Sequence, residues 1–227
     1  MGLTATSDGM ATQSGEKLAV LPLLTIESDV DFRTGHVEFD GSLVIQGSVR
    51  PGFRVEATGS IQVLGLLDGG SVTAGGDVQI GGIVGRDTAV VQSSGSLDTA
   101  FIEHADIHAG GAVKVGNEIR HSKVQADTVV EVAGAGRVVG GTLHAGELIQ
   151  VRRISCPLGS ETDIRVGWDD PSKALAPILH TEPSLLVGDE ADADVLIAIG
   201  DAKRRLDRAS PGGVFRKRDD RVVYTAK

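Results

Sequence analysis

Residues 72–82 read "VTAGGDVQIGG", a glycine-rich stretch of the kind that cradles a nucleotide or repeats in calcium-binding proteins. The same pattern recurs along the chain, and a repeat has an architectural cause before it has a chemical one. The other copies are "VEFDGSLVIQG" from Val37, "VEATGSIQVLG" from Val55, "VQSSGSLDTAF" from Val91, "IHAGGAVKVGN" from Ile107, "VQADTVVEVAG" from Val124 and "LHAGELIQVRR" from Leu143. With the copy at Val72 included, successive starts lie 18, 17, 19, 16, 17 and 19 residues apart. Six places beyond each start stand Leu43, Ile61, Val78, Leu97, Val113, Val130 and Ile149, all aliphatic. Two places further stand Ile45, Val63, Ile80, Val115, Val132 and Val151, broken only by Thr99.

Even offsets are apolar or small and odd offsets mostly polar, as in Glu56, Thr58, Ser60 and Gln62. That period of two belongs to strands with one buried face and excludes helices here. A small residue two places in, such as Ala57, Ala74 or Ala109, and a glycine two places later, such as Gly41, Gly59, Gly76, Gly95 or Gly111, mark corners where glycine takes dihedrals denied to other residues. A unit of this length holds one turn of a coil with two or three short strands. The expected fold is therefore all-β, a right-handed single-stranded parallel β-helix of about seven coils of 16–19 residues. At roughly 4.8 Å per coil the core is about 30 Å long. A hexad repeat and a calcium-binding nonapeptide both fail to fit the spacing.

Composition agrees. Of 227 residues, 31 are glycine and 3% aromatic, which suits a narrow interior of stacked aliphatics. The lone Cys156 excludes an internal disulfide framework and points to a reducing compartment. The longest apolar stretch, "LAVLPLLTI" at residues 18–26, is too short to span a bilayer and contains Pro22. The start "MGLTATSDGM" has no leader character, so a cytoplasmic protein without an integral membrane segment is expected. A formal charge of −9 opposes nucleic acid, and the basic runs "KRRLDR" and "RKRDDR" are each interrupted by Asp. Residues 1–19 are polar and expected to be disordered, residues 20–168 form the β-helix, and residues 169–227 form a cap. In the cap, Val195, Leu196, Ile199 and Leu206 fall near one face at helical spacing and predict a short helix over residues 192–208. The tail alternates like a hairpin with its turn near Asp219 and Asp220.

The ordered series "DVDFRTGHVEFDGSLVIQGSV", "FIEHADIHAGGAVKV", "EIRHSKVQA", "GRVVGGTLHAGELI" and "PLGSETDIRVG" resembles the β-helical domain of the flagellar assembly protein A family over residues 20–167. The resemblance implies a right-handed β-helix and a non-enzymatic role in bacterial flagellar assembly or polar organisation. Two departures accompany it: the domain that family members carry before the β-helix is missing, and the coiled coil after it is reduced to about one short helix. Ser155 and Cys156 stand where the family has a Gly-Ser pair.

Candidate chemistry is sparse. His104 and His121 each lie three residues before a coil start, so adjacent coils stack them about 5 Å apart. Two imidazoles offer a metal only half of the three or four ligands it wants, which favours a structural pair. His108 and His144 share an outward position and read as surface residues. Arg86 in "GRD" and Arg137 in "GAGRVVGG" are candidates for contacting a partner or an anion, against plain loop or corner roles. "GAGRVVGG" does not satisfy the dinucleotide fingerprint, and no cofactor is expected. Arg152 and Arg153 flank Cys156 without a partnered histidine, so an ordinary thiol is the simpler reading. Asp98, Lys114 and Glu131 occupy one outward column and alternate in sign, where a glycan-cleaving site would oppose two acids. The leading functional expectation is a scaffold that binds protein partners, among them flagellar or cell-pole components. The alternatives are a self-polymerising homo-oligomer like the bactofilins and, less favoured, a carbohydrate-active enzyme.

Overall fold

The computed structural model describes residues 9–14, 17–157, 160–167 and 182–226. Its described residues contain strands and no helix. Three parallel sheets wrap one aliphatic axis, and each coil contributes one strand to each sheet.

The interior rows follow the pairing register. One runs Leu24, Leu43, Ile61, Val78, Leu97, Val113, Val130, Ile149 and Leu185. A second runs Val30, Val49, Leu67, Ile83, Ile102, Ile119, Val138, Ile154 and Ala191. The third runs Val37, Val55, Val72, Val91, Ile107, Val124 and Leu143, which are the seven repeat starts, and continues through Ile164 and Ile197. All of these residues except Leu24 are buried. Burying one such side chain stabilises the fold by about 1.5–3 kcal/mol before the entropy of ordering the chain is subtracted.

The glycines of the opening stretch turn the chain in a different way from the one their sequence suggests. Gly59, Gly76, Gly95 and Gly111 do not have positive φ. They are glycines because rungs approach closely. A Cβ on Gly76 would stand 2.6 Å from Ser60 Oγ, and one on Gly111 would stand 2.5 Å from Ser96 Oγ. Those oxygens are needed there. Ser42 Oγ accepts from Ser60 N–H at 3.2 Å, Ser60 Oγ from Asp77 N–H at 3.1 Å, Asp77 Oδ1 from Ser96 N–H at 2.8 Å and Ser96 Oγ from Ala112 N–H at 3.1 Å. The corner is a polar ladder in which each Ser or Asp satisfies a backbone donor one rung on, in space that the next glycine leaves open.

The expected helix at residues 192–208 is not formed. Leu196–Ile199 and Ala202–Arg205 are strands paired antiparallel, with Asp194 at φ 65° and Gly200 at φ 57°. Val195, Ile197 and Ile199 are buried at a period of two, with the small Ala198 buried between the last two, and Leu196–Ile199 continues the third sheet beside Thr162–Val166. The expected tail hairpin is present: Ser210–Arg218 pairs with Arg221–Ala226 around a turn with Asp219 at φ 52°. The proposed cap region thus begins as one more coil. The proline-bearing stretch 168–181 lies outside the described residues. So does part of segment 1–19, in which Gly9–Ser14 pairs antiparallel with residues 17–22.

The two ends of the rod differ. Ser210–Arg218 pairs antiparallel along Ser184–Ala191 and so covers the last strand of two sheets, while Ala202–Arg205 covers that of the third. Phe215 of the covering strand and Leu185 opposite it are fully buried. This arrangement closes the sheets to further strands. At the first rung, residues 23–26, Val30 and Val37–Phe39 pair with the following rung only, among the described residues. Leu24 belongs to an interior row and is still 38% exposed.

Substituting Gly75→Ala drives a Cβ into the Thr58 carbonyl oxygen. We expect it to cost about 1–3 kcal/mol in a denaturant melt. Asp29 provides a pH test. Ser48 N–H and the Arg50 guanidinium both donate to its carboxylate at 2.8 Å, and these bonds hold its pKa below the ordinary 3.8. A depressed carboxylate stabilises the fold above its unfolded pKa, and the contribution is lost as pH falls through the folded value. The protection factor of the Ser48 amide, which is exchange relative to the intrinsic rate at each pH, is therefore expected to fall on acidification below about 3.8, and Asp29→Asn should abolish that fall.

Candidate functional site

His104 and His121 meet as their spacing predicts, with ring centroids 5.2 Å apart and planes tilted by 33°. Their backbones explain why. His104 has φ 49° and His121 φ 42°, and the same corner holds Asp87 at φ 61° and Gly140 at φ 63°. The turn between the second and third sheets demands a left-handed residue on each of these rungs, and histidine, aspartate and glycine tolerate that conformation better than branched residues. His104 Nδ1 lies 2.9 Å from Asp87 Oδ1, and His121 Nδ1 lies 2.6 Å from where a Cβ of residue 140 would stand. The imidazoles therefore form a corner column bounded by a carboxylate and a glycine. Among the described residues no group of three or more His, Cys, Asp or Glu is placed to hold a metal ion.

Arg86 is occupied. Its guanidinium makes a forked pair with Asp68 one rung back, which raises its pKa further above the ordinary arginine value. "GRDT" is an insertion in the coil, since four residues from Gly85 oppose His104 alone where the register shifts between Val84 and Ala89. Arg137 is exposed at the start of its strand, in register with Glu118 and Arg153. The structure does not bring Arg86 and Arg137 into one site.

The remaining candidates have structural partners or lie apart. His108 is exposed, and His144 Nε2 lies 3.0 Å from Gly167 O. Cys156 is half-buried, its thiol donating to Ser160 O at 3.3 Å and its N–H to Asp192 Oδ2 at 3.2 Å. Arg152 turns away to Asp189 at 3.4 Å. Asp98, Lys114 and Glu131 do stand in register on neighbouring rungs, an outward column of alternating sign.

Two surface features were not legible in the sequence. A shallow groove on the third sheet gathers Glu38, Asp40 and Glu56 beside Phe39 and Thr58. Glu38 and Asp40 share one rung and Glu56 stands on the next, so the register brings Glu56 beside the other two. Glu56 is paired with Arg54 at 3.0 Å, and Asp40 accepts from Thr58 Oγ1 at 2.8 Å, so two of the three are engaged in cross-links and Glu38 is exposed. At the other end, a groove on the cap is lined by Arg204, Leu206, Arg208, Pro211 and Tyr224. The hydroxyl of Tyr224 donates to Pro211 O at 3.1 Å or Gly212 O at 3.2 Å, which pins the tail hairpin over the end. The "KRRLDR" run signals the charge of this surface, but only the fold places it at the end of the rod.

If the histidine column answers to backbone geometry, His121→Asn should keep the melting midpoint, whereas the β-branched His121→Val should lower stability by about 1–3 kcal/mol. Thermal denaturation followed by circular dichroism distinguishes the two.

No helix among the described residues is long and apolar enough to cross a membrane. Neither a curated protein nor a solved structure matches the chain. A family model, the Flagellar Assembly Protein A beta solenoid domain, matches residues 22–177. That interval takes in the repeated coils from the first rung through the Thr162–Val166 strand, and the chain belongs to this flagellar assembly β-solenoid family.

Proposed function

We propose that this chain is a non-enzymatic scaffold that binds protein partners in bacterial flagellar assembly or polar organisation. The single observation that carries the reading is the family match over a solenoid whose outer faces are ladders of mutually satisfied side chains. Gln62 donates to Gln79 at 2.7 Å, Lys123 pairs with Asp106 at 3.4 Å, and Arg50 pairs with Asp29 at 2.6 Å, each across one rung. Such ladders make rigid, flat, parallel surfaces, and a repeat rod offers length for a partner to lie along without needing a cleft. Winding is right-handed, the hand that parallel crossovers adopt. The chain works in the cytoplasm and takes no cofactor. Glu38, Asp40 and Glu56 serve in this reading as a polar surface for a partner and not as a glycan-cleaving pair, since Glu56 is paired with Arg54 and Asp40 accepts from Thr58.

Affinity capture of the tagged chain from native lysate, read by mass spectrometry and paired with deletion of its gene, tests this role. Recovery of flagellar or pole-associated proteins together with a loss of flagellation is the expected result. Normal flagella without the chain, and capture of none of these proteins, would overturn it.

A further inference from the structure

The two ends of the rod carry opposite charge. Residues 22–41, which build the first rung and its corner, hold Glu27, Asp29, Asp31, Glu38 and Asp40 against Arg33 alone. Arg50 of the next rung engages Asp29, and the end stays acidic. Residues 201–221 hold eight Lys and Arg against four Asp, a local +4 in a chain whose total is −9. Pairing puts the basic residues beyond the last rung: Ala202–Arg205 lies outside Leu196–Ile199, and Arg221–Ala226 lies outside Ser210–Arg218. Arg204 sits opposite the interior residue Ile197 and is nonetheless exposed, so it stands over the end of the core.

We propose that copies of this chain associate head to tail, the acidic first rung of one seated on the basic cap of the next. The occupant follows from charge and shape together. Among the described residues, the first rung presents strand edges at residues 23–26 and Val37–Phe39 that pair on one side only, and the partly exposed interior Leu24, which a surface of the same three-sided outline covers. Within this chain, the cap lies across the last strands of the same three sheets. A head-to-head join would oppose two acidic ends and a tail-to-tail join two basic ones, and like charges across an interface disfavour both. Head to tail pairs Glu27 and Glu38 with the Arg204 and Arg208 side. The cap covers the last sheets, so ionic side-chain contacts make the join and no sheet runs through it. The contact is heterologous, joins two different surfaces, and repeats along the rod axis without closing.

The test uses the full chain, by sedimentation velocity over a range of concentrations in about 0.01 M and about 1 M salt, across which the screening length falls from about 30 to about 3 Å. Mass should rise with concentration at low salt and collapse to monomer at high salt. Two charge-reversed variants are compared, Arg204→Glu with Arg208→Glu, and Glu27→Lys with Glu38→Lys; all four positions are exposed, and unchanged circular dichroism verifies folding. Each variant alone should associate at least about tenfold more weakly, because two reversals bring the net charge of the altered end to zero and set like charges against each other at the reversed positions. An equimolar mixture of the two should recover association, since each reversed position again finds an opposite. A native chain that stays monomeric at low salt, association indifferent to either reversal, or a mixture that fails to recover would each overturn the proposal. These outcomes are read on the purified chain alone and do not depend on its flagellar role.

Discussion

The constraint on which the structure depends is register between rungs. Each interior aliphatic sits over its counterpart one coil away, at the roughly 4.8 Å spacing that parallel backbone hydrogen bonds impose. Once Val72 lies over Val55 and under Val91, every other position in the coil is placed as well. A slip of one residue would turn the aliphatic rows to solvent and the outward glutamines and charges to the core. Register also explains features that look like chemistry in one dimension. Glycines of the Gly-Ser and Gly-Asp corners stand where a side chain would strike the oxygen that caps the next rung. His104 and His121 stack because one corner requires the left-handed conformation on successive rungs.

Stacked charges follow the same logic. Asp68 with Arg86, Asp29 with Arg50, and Asp106 with Lys123 are cross-rung pairs, and each neutralises a column that would otherwise repel itself. Exposed pairs of this kind add little stability one by one. They tie successive rungs together along the flanks of the rod. What distinguishes the ends is the sign of their charge, acidic over residues 22–41 and basic over residues 201–221, where a rung has a neighbour on one side only.

Much of the fold was legible in the sequence, since one interior residue type recurs at nearly constant spacing from Val37 to Leu143. The last coils were hidden because that spacing breaks. Leu143 to Ile164 is 21 residues and Ile164 to Ile197 is 33, so a search at 16–19 residues ends too early. The helix expected at residues 192–208 came from reading Val195, Leu196, Ile199 and Leu206 at helical spacing. The same run places Val195, Ile197 and Ile199 at a period of two, and the existing edge of Thr162–Val166 decides for the strand. Tertiary context overrode a local pattern that fits both periods. The histidine pair was legible because it occupies a fixed place in the repeat. The acidic groove and the basic cap were not, because Glu38 and Glu56, or Arg204 and Tyr224, become neighbours only through pairing.

The central claim is that the chain winds around a single aliphatic axis with one rung per repeat, and pulsed electron paramagnetic resonance tests it most directly. Spin labels are placed on outward positions of the first sheet, pairing Val44 in turn with Asp98, Glu131 and Gln150, which lie three, five and six rungs away. Distances should climb in proportion to rung number, to about 14, 24 and 29 Å at about 4.8 Å per rung. Distances that fail to rise in that order, or whose increment per rung departs from about 4.8 Å, would contradict the solenoid and the assignments built on it.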